Sequence, residues 1–162
     1  MAGDQDKIKE GGCSCGQLRY RMMTAPLFIH CCHCTWCQRE TGAAFALNAL
    51  IESDQLQLLL GRTETIPTPS SSGLGQDIVR CVVCKAAIWS HYGGAKDAIS
   101  FLRLGTLDDA AAFTPDIHIF TSTKQPWIEL GDTVPVLPEY YRRSQYWPEK
   151  SIIRYKKAVA GN

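Results

Sequence analysis

Cys32-His33-Cys34-Thr35-Trp36-Cys37 places three thiols within six consecutive residues and runs directly into Gln38-Arg39-Glu40-Thr41-Gly42. Thiols this closely spaced converge on one point only if the backbone wraps tightly around it, and metal coordination is the usual reason for such wrapping. Zinc is the leading candidate, because soft thiolates in a tetrahedral shell suit it. Three ligands leave a fourth position, which catalytic zinc sites keep for water or substrate and structural sites fill. The cluster therefore reads as the reactive centre, and the rest of the chain as its housing.

Working outward, the other cysteines fall as Cys13-x-Cys15, Cys31 beside Cys32, and Cys81-x-x-Cys84. A disulfide framework is the competing account of eight cysteines, but pairs this close make poor disulfides. Cys13, Cys15, Cys81 and Cys84 together supply the four thiolates of a closed structural zinc, linking two distant parts of the chain. Two alternatives stay open: the Cys13/Cys15 pair joins the central cluster, or a histidine replaces one cysteine. The central set Cys32, Cys34 and Cys37 has no fourth cysteine outside its own cluster. His30 or His33 would close it with nitrogen, whereas Cys31 faces away from Cys32 in an extended segment.

An open three-thiolate zinc has a definite chemistry. Three thiolates overcompensate the dication and leave the site formally negative, a mild Lewis acid suited to soft ligands. Such a site lowers the pKa of an incoming thiol and holds it as thiolate. The substrate class is thus a thiol or its adduct with an electrophile, and glutathione is the abundant candidate.

The chain has 162 residues, 45% of them hydrophobic and 20% charged, which suits one globular domain with a sizeable core. Its net charge of +1 gives no general drive toward nucleic acid or an anionic membrane. The first ten residues alternate in charge without an apolar run, so they read as a flexible leader and not a secretory peptide. The longest apolar stretch, around Ala43 to Ile51, is too short to span a bilayer. Free thiols then imply a cytoplasmic setting, or a nuclear one.

Leu18 to Met22 alternates apolar and basic residues, a strand pattern. Leu27 to His30, Ala43 to Ile51, Leu56 to Leu60, Asp77 to Arg80, Ala86 to Tyr92, Ala98 to Leu104, Ile117 to Thr121 and Trp127 to Leu130 also read as strands. Gln38 to Thr41 predicts one helical turn closed by Gly42, and Asp108 to Ala112 a short helix. Pro67, Pro69 and the serines between Gly61 and Gln76 predict a surface loop. The expected fold is mostly β, built of short antiparallel strands with one or two short helices. From Glu139 the tail is basic and aromatic; residues 138–162 are expected to pack their rings on the domain, nucleic-acid binding through stacked bases being the alternative.

Gly12-Cys13-Ser14-Cys15-Gly16-x-x-Arg19-Tyr20, Cys32-His33-Cys34-x-x-Cys37-Gln38-Arg39-x-Thr41-Gly42-Ala43-x-Phe45 and Cys81-x-x-Cys84 resemble the glutathione-dependent formaldehyde-activating enzyme family, which includes centromere protein V. Gly105 to Asp109, Pro115-x-Ile117-His118-Ile119-Phe120 and Lys124-x-Pro126-Trp127 are similar to its C-terminal half. The resemblance spans about residues 11–137. It implies a zinc-binding domain of the β-tent type with two zinc ions: one structural, on Cys13, Cys15, Cys81 and Cys84, the other on Cys32, Cys34 and Cys37 and associated with glutathione. It implies carbon–sulfur lyase chemistry joining formaldehyde and glutathione into S-hydroxymethylglutathione. The rival implication is a non-catalytic, zinc-stabilised module that binds chromatin or another macromolecule. Among residues outside the thiol clusters, Arg39 is a candidate carboxylate partner, Trp36 a candidate pocket wall, and His118 faces opposite Ile117 and Ile119, toward either a pocket or a structural hydrogen bond. Trp127 is expected in the core.

Overall fold

A computed structural model describes residues 8–161. Alternation along β2 (Arg19–Met22) buries Tyr20 and Met22 and turns Arg19 and Arg21 outward. β1 (Lys9–Gly12) pairs antiparallel with β2, and β5 (Leu56–Leu60) pairs with its other edge to complete a three-stranded sheet. The outward arginines meet acids: Arg21 reaches Glu10 at 2.6 Å, and Arg19 pairs with Asp108. The leader expected over residues 1–10 lies mostly outside the described residues. Its last two residues are a correction, because Lys9 and Glu10 belong to β1, where β2 supplies hydrogen-bond partners and Asp109 and Arg21 supply counter-charges.

The larger sheet has seven strands in the order β10-β3-β4-β9-β8-β7-β6. At its heart β3 (Phe28–Cys32) is buried at every position, and the apolar β4 (Ala46–Glu52) and β9 (Ile99–Arg103) follow antiparallel to it and to each other. β8 (Ala87–Tyr92), β7 (Gln76–Cys81) and β6 (Thr63–Thr68) extend the sheet antiparallel to one edge. β10 (Ile117–Ile119) closes the other edge and is its parallel member, aligned so that His118 lies beside Cys31. The fold is thus mostly β and rich in antiparallel pairs.

Two expectations require correction here. The proline-rich segment after Gly61 is not all loop: residues 63–68 form β6, and Pro67 is tolerated because β6 is an edge strand with no neighbour needing its N–H. Trp127 to Leu130 forms no strand, and Trp127 is 73% exposed instead of buried, because the turns around Gln125 and Pro126 carry it away from the sheet.

The tail forms α2 (Arg143–Tyr146) and α3 (Glu149–Ala160). Trp147 between them is 5% exposed and stacks on Phe28, with ring centroids 5.4 Å apart. Arg154 forks onto Glu52 at 2.8 and 2.7 Å and donates to the carbonyl of Ala25 at 3.0 Å. The tail's rings are therefore packed against β3 and its basic residues are partly spent on the domain. Trp147→Ala is expected to cost about 3–5 kcal/mol of unfolding free energy, read as a lower urea midpoint, because a large buried ring is removed from a shared core.

Candidate metal centre

The outer thiols come from two tight turns. Cys13 and Cys15 sit just after β1, where Gly16 takes a φ of 74° and its N–H bonds back to the Cys13 carbonyl at 3.1 Å. Cys81 ends β7, and the chain doubles back past Cys84 through Lys85 at a φ of 62°. Sγ of Cys15 lies 3.4 Å from that of Cys13 and 3.9 Å from that of Cys81; all four sulfurs lie within 4.8 Å of one another. Backbone N–H groups of Leu18 and Val83 donate to Cys13 and Cys81. Burial opposes ionisation of Cys13, but hydrogen bonds from Cys15, Leu18, Cys81 and Cys84 outweigh it and bring its pKa to about 6. This is a soft donor set able to hold a metal, and it ties the β1–β2 turn to β7.

The inner thiols come from the end of β3 and the helix after it. Cys32 ends β3, Cys34 caps the N-terminus of α1 (Thr35–Thr41) and accepts from the Cys37 N–H, and Cys37 lies in the first turn. The helix starts three residues before the expected Gln38, because a cysteine sulfur performs the capping, and it ends at Gly42 with a φ of 66°. Glu40 pairs with Arg80 of β7, fixing the helix on the sheet. All three thiols are buried, and their sulfurs lie within 4.8 Å of one another. No further cysteine, histidine or carboxylate joins them among the described residues.

Without a cation this set carries its charge unevenly. Hydrogen bonds from Cys32 and Cys37, then from backbone N–H groups of the helix start, overcome burial and hold Cys34 at about 2. Hydrogen bonds with Cys34 and Cys37, reinforced by burial, push Cys32 far up. The bond from Cys32 lowers Cys37, yet the Cys34 thiolate and burial together leave Cys37 at about 12. Arg103 of β9, buried and bonded to Asn48 at 2.6 Å, provides a positive charge that favours ionised Cys37.

The inner thiols open onto a cavity of about 560 Å³ whose walls include Tyr92, Phe101, Phe120 and Tyr140, with Arg143 of α2 contributing from the tail. His30 also lines it, and burial with the nearby Arg143 charge lowers its pKa to about 3, so its imidazole is neutral. The Trp147 Nε1–H can only donate, and does so to the Tyr141 hydroxyl at 2.6 Å; that hydroxyl is hydrogen-bonded in turn to His30 Nε2 at 2.5 Å. His30 is thereby engaged with the tail and does not join the inner thiols.

Three residues expected near substrate, Trp36, Arg39 and His118, do not line this cavity. Trp36 and Arg39 lie on the outward face of α1, opposite Cys37; Arg39 lines a shallow surface depression with Gln125 and Trp127 instead. His118 points to the other side of β3, where it meets His33 and Cys31. Conversely, Arg103, Arg143 and the aromatic walls escaped sequence reading. No ligand spacing marks them as pocket residues; the register opposing Arg103 to Asn48, and the return of the tail, bring Arg103 and Arg143 in.

The family model described as glutathione-dependent formaldehyde-activating enzyme matches residues 8–123, leaving the tail outside the match. A Halomonas elongata protein, named provisionally as a glutathione-dependent formaldehyde-activating enzyme, is 23% identical over 127 residues, covering 76% of this chain and 81% of that protein. The crystal structure of a Rhodobacter sphaeroides protein aligns with a TM-score of 0.49 at 14% identity, over 78% of this chain and 98% of that one. With its family match extending across both thiol clusters, this chain belongs to the glutathione-dependent formaldehyde-activating enzyme family.

Proposed function

We propose that the chain is a zinc-dependent carbon–sulfur lyase acting on a glutathione adduct, as in the reversible formation of S-hydroxymethylglutathione from formaldehyde and glutathione. One observation carries the reading: three converging thiols, with no fourth ligand among the described residues, face a cavity large enough for a peptide thiol. The donor set fits zinc, being three soft sulfurs that lie within 4.8 Å of one another. Cys13, Cys15, Cys81 and Cys84 would hold a second, closed ion with a structural role. Bound to Cys32, Cys34 and Cys37, zinc would supply a soft Lewis acid that acidifies an incoming thiol.

The chain's own residues supply the rest. Arg103 offsets the negative charge that three thiolates leave around a dication. Arg143, whose guanidinium lies 4.1 Å from the Tyr155 ring centroid, presents a forked donor for a glutathione carboxylate at the cavity. The aromatic walls limit water around the reacting atoms. When sulfur bonds to the carbonyl carbon, the π pair moves to oxygen, which takes a proton; the thiol hydrogen thus ends on the hydroxyl of the adduct. His30, Tyr140 and Arg143 are polar groups of the cavity wall available to hydrogen-bond that oxygen, and the same contact would serve the reverse cleavage.

Glutathione is expected to bind the zinc-loaded protein saturably in calorimetry, and Cys34→Ser to abolish that binding; retained binding in the variant would remove the inner thiols from the mechanism. Arg143→Ala should weaken glutathione at least about tenfold with the fold intact, the loss of a charged hydrogen bond. Cys32 and Cys37 are held above their ordinary pKa while Cys34 lies below it. Filling the inner cluster at neutral pH should therefore release roughly two protons, so affinity rises with pH, measurable by titration in buffers of different ionisation enthalpy.

A further inference from the structure

β3 is extended, so residues Cys31 and His33 project to the face opposite Cys32. On that face the parallel register sets His118 of β10 directly beside Cys31. Three donors from three positions therefore meet: Sγ of Cys31 lies 3.5 Å from Nε2 of His33, which lies 3.0 Å from Nδ1 of His118, and all three lie within 4.8 Å of one another. Tetrahedral zinc with ordinary bond lengths has ligand edges of about 3.6 Å between sulfur and nitrogen and about 3.3 Å between nitrogens. The first spacing matches, and the second needs a shift of a few tenths of an ångström.

Protons alone serve this arrangement poorly. Nε2 of a neutral imidazole has one hydrogen or one in-plane lone pair, so it makes one good hydrogen bond, whereas His33 Nε2 faces two partners. Its other nitrogen, Nδ1, is buried without a hydrogen-bond partner, so no donor or acceptor there fixes the ring for a purely hydrogen-bonded role. One cation satisfies all three converging atoms at once. Cys31 and His33 are 2% and 0% exposed and His118 is half-buried, so access is from the His118 side. The nearby Lys124 ammonium donates to the carbonyls of Gln125 and Ile128.

We propose that Cys31, His33 and His118 form a third cation site, a sulfur and two nitrogens for a borderline divalent ion such as zinc, back to back with the inner thiol cluster. It is independent of the catalytic reading. Its effect is to clip β10, a three-residue strand, onto β3, together with the segment whose Pro135 carbonyl and Leu137 N–H bond the backbone of His118.

The test is metal stoichiometry of the full chain. Zinc titrated against a chromophoric chelator should fill three sites in the parent, matching the three donor groups, and two in Cys31→Ala and in His118→Gln. In cobalt-loaded parent, the weakest-bound equivalent should bring the spectrum of a single thiolate ligand, and saturating it should slow amide exchange in β10. Glutathione binding should be unchanged in His118→Gln, which separates this site from the inner cluster. A parent that stops at two ions, or variants that bind as many as the parent, would overturn the proposal and leave the trio a hydrogen-bonded cluster.

Discussion

Burial of β3 on both faces, combined with the two-residue period of an extended chain, is the constraint from which the rest of the site follows. Every side chain of Phe28 to Cys32 enters the interior, and neighbours must leave on opposite sides. Cys32 therefore joins the cavity that α1 completes with Cys34 and Cys37, while Cys31 and His33 are driven to the far face beside His118. Shifting β3 by one residue would exchange these two sets. The register with β4, pairing His30 with Asn48 and Cys31 with Leu47, prevents that slip.

Crowded thiols then pose an electrostatic problem. Three buried sulfurs within a few ångströms cannot all ionise in a low-dielectric pocket, and the protein concentrates the charge on Cys34, where the start of α1 offers N–H donors. Arg103, buried across from Asn48, adds one positive charge behind the cluster. A divalent cation removes the remaining conflict, because it favours every thiolate together. The electrostatics and the donor chemistry thus both suit a metal ion at these cysteines.

The tail beyond the family match is part of this housing. Trp147 stacks on Phe28 at the start of β3, and its N–H begins the hydrogen-bond chain through Tyr141 to His30. Tyr140, Tyr155 and Arg143 reach the cavity from the same segment. A change in the tail can therefore alter the polarity, size and charge of the cavity without touching a cysteine.

Local chemistry determined much of this protein from the sequence by itself. The clustered cysteines announced soft donor sets, alternation at Leu18 to Met22 and apolar runs such as Ala43 to Ile51 announced strands, and the ordered motifs announced the family. These are legible because ligand spacing and side-chain period act over a few residues. Tertiary structure alone decided that Trp36 and Arg39 face outward, that Arg143 lines the cavity while Arg103 is buried beside Asn48, and that Pro67 rests in an edge strand. It also alone placed His118 against Cys31. Each of these depends on strand register or on the return of a distant segment, and pairing across tens of residues leaves no periodic trace in the chain.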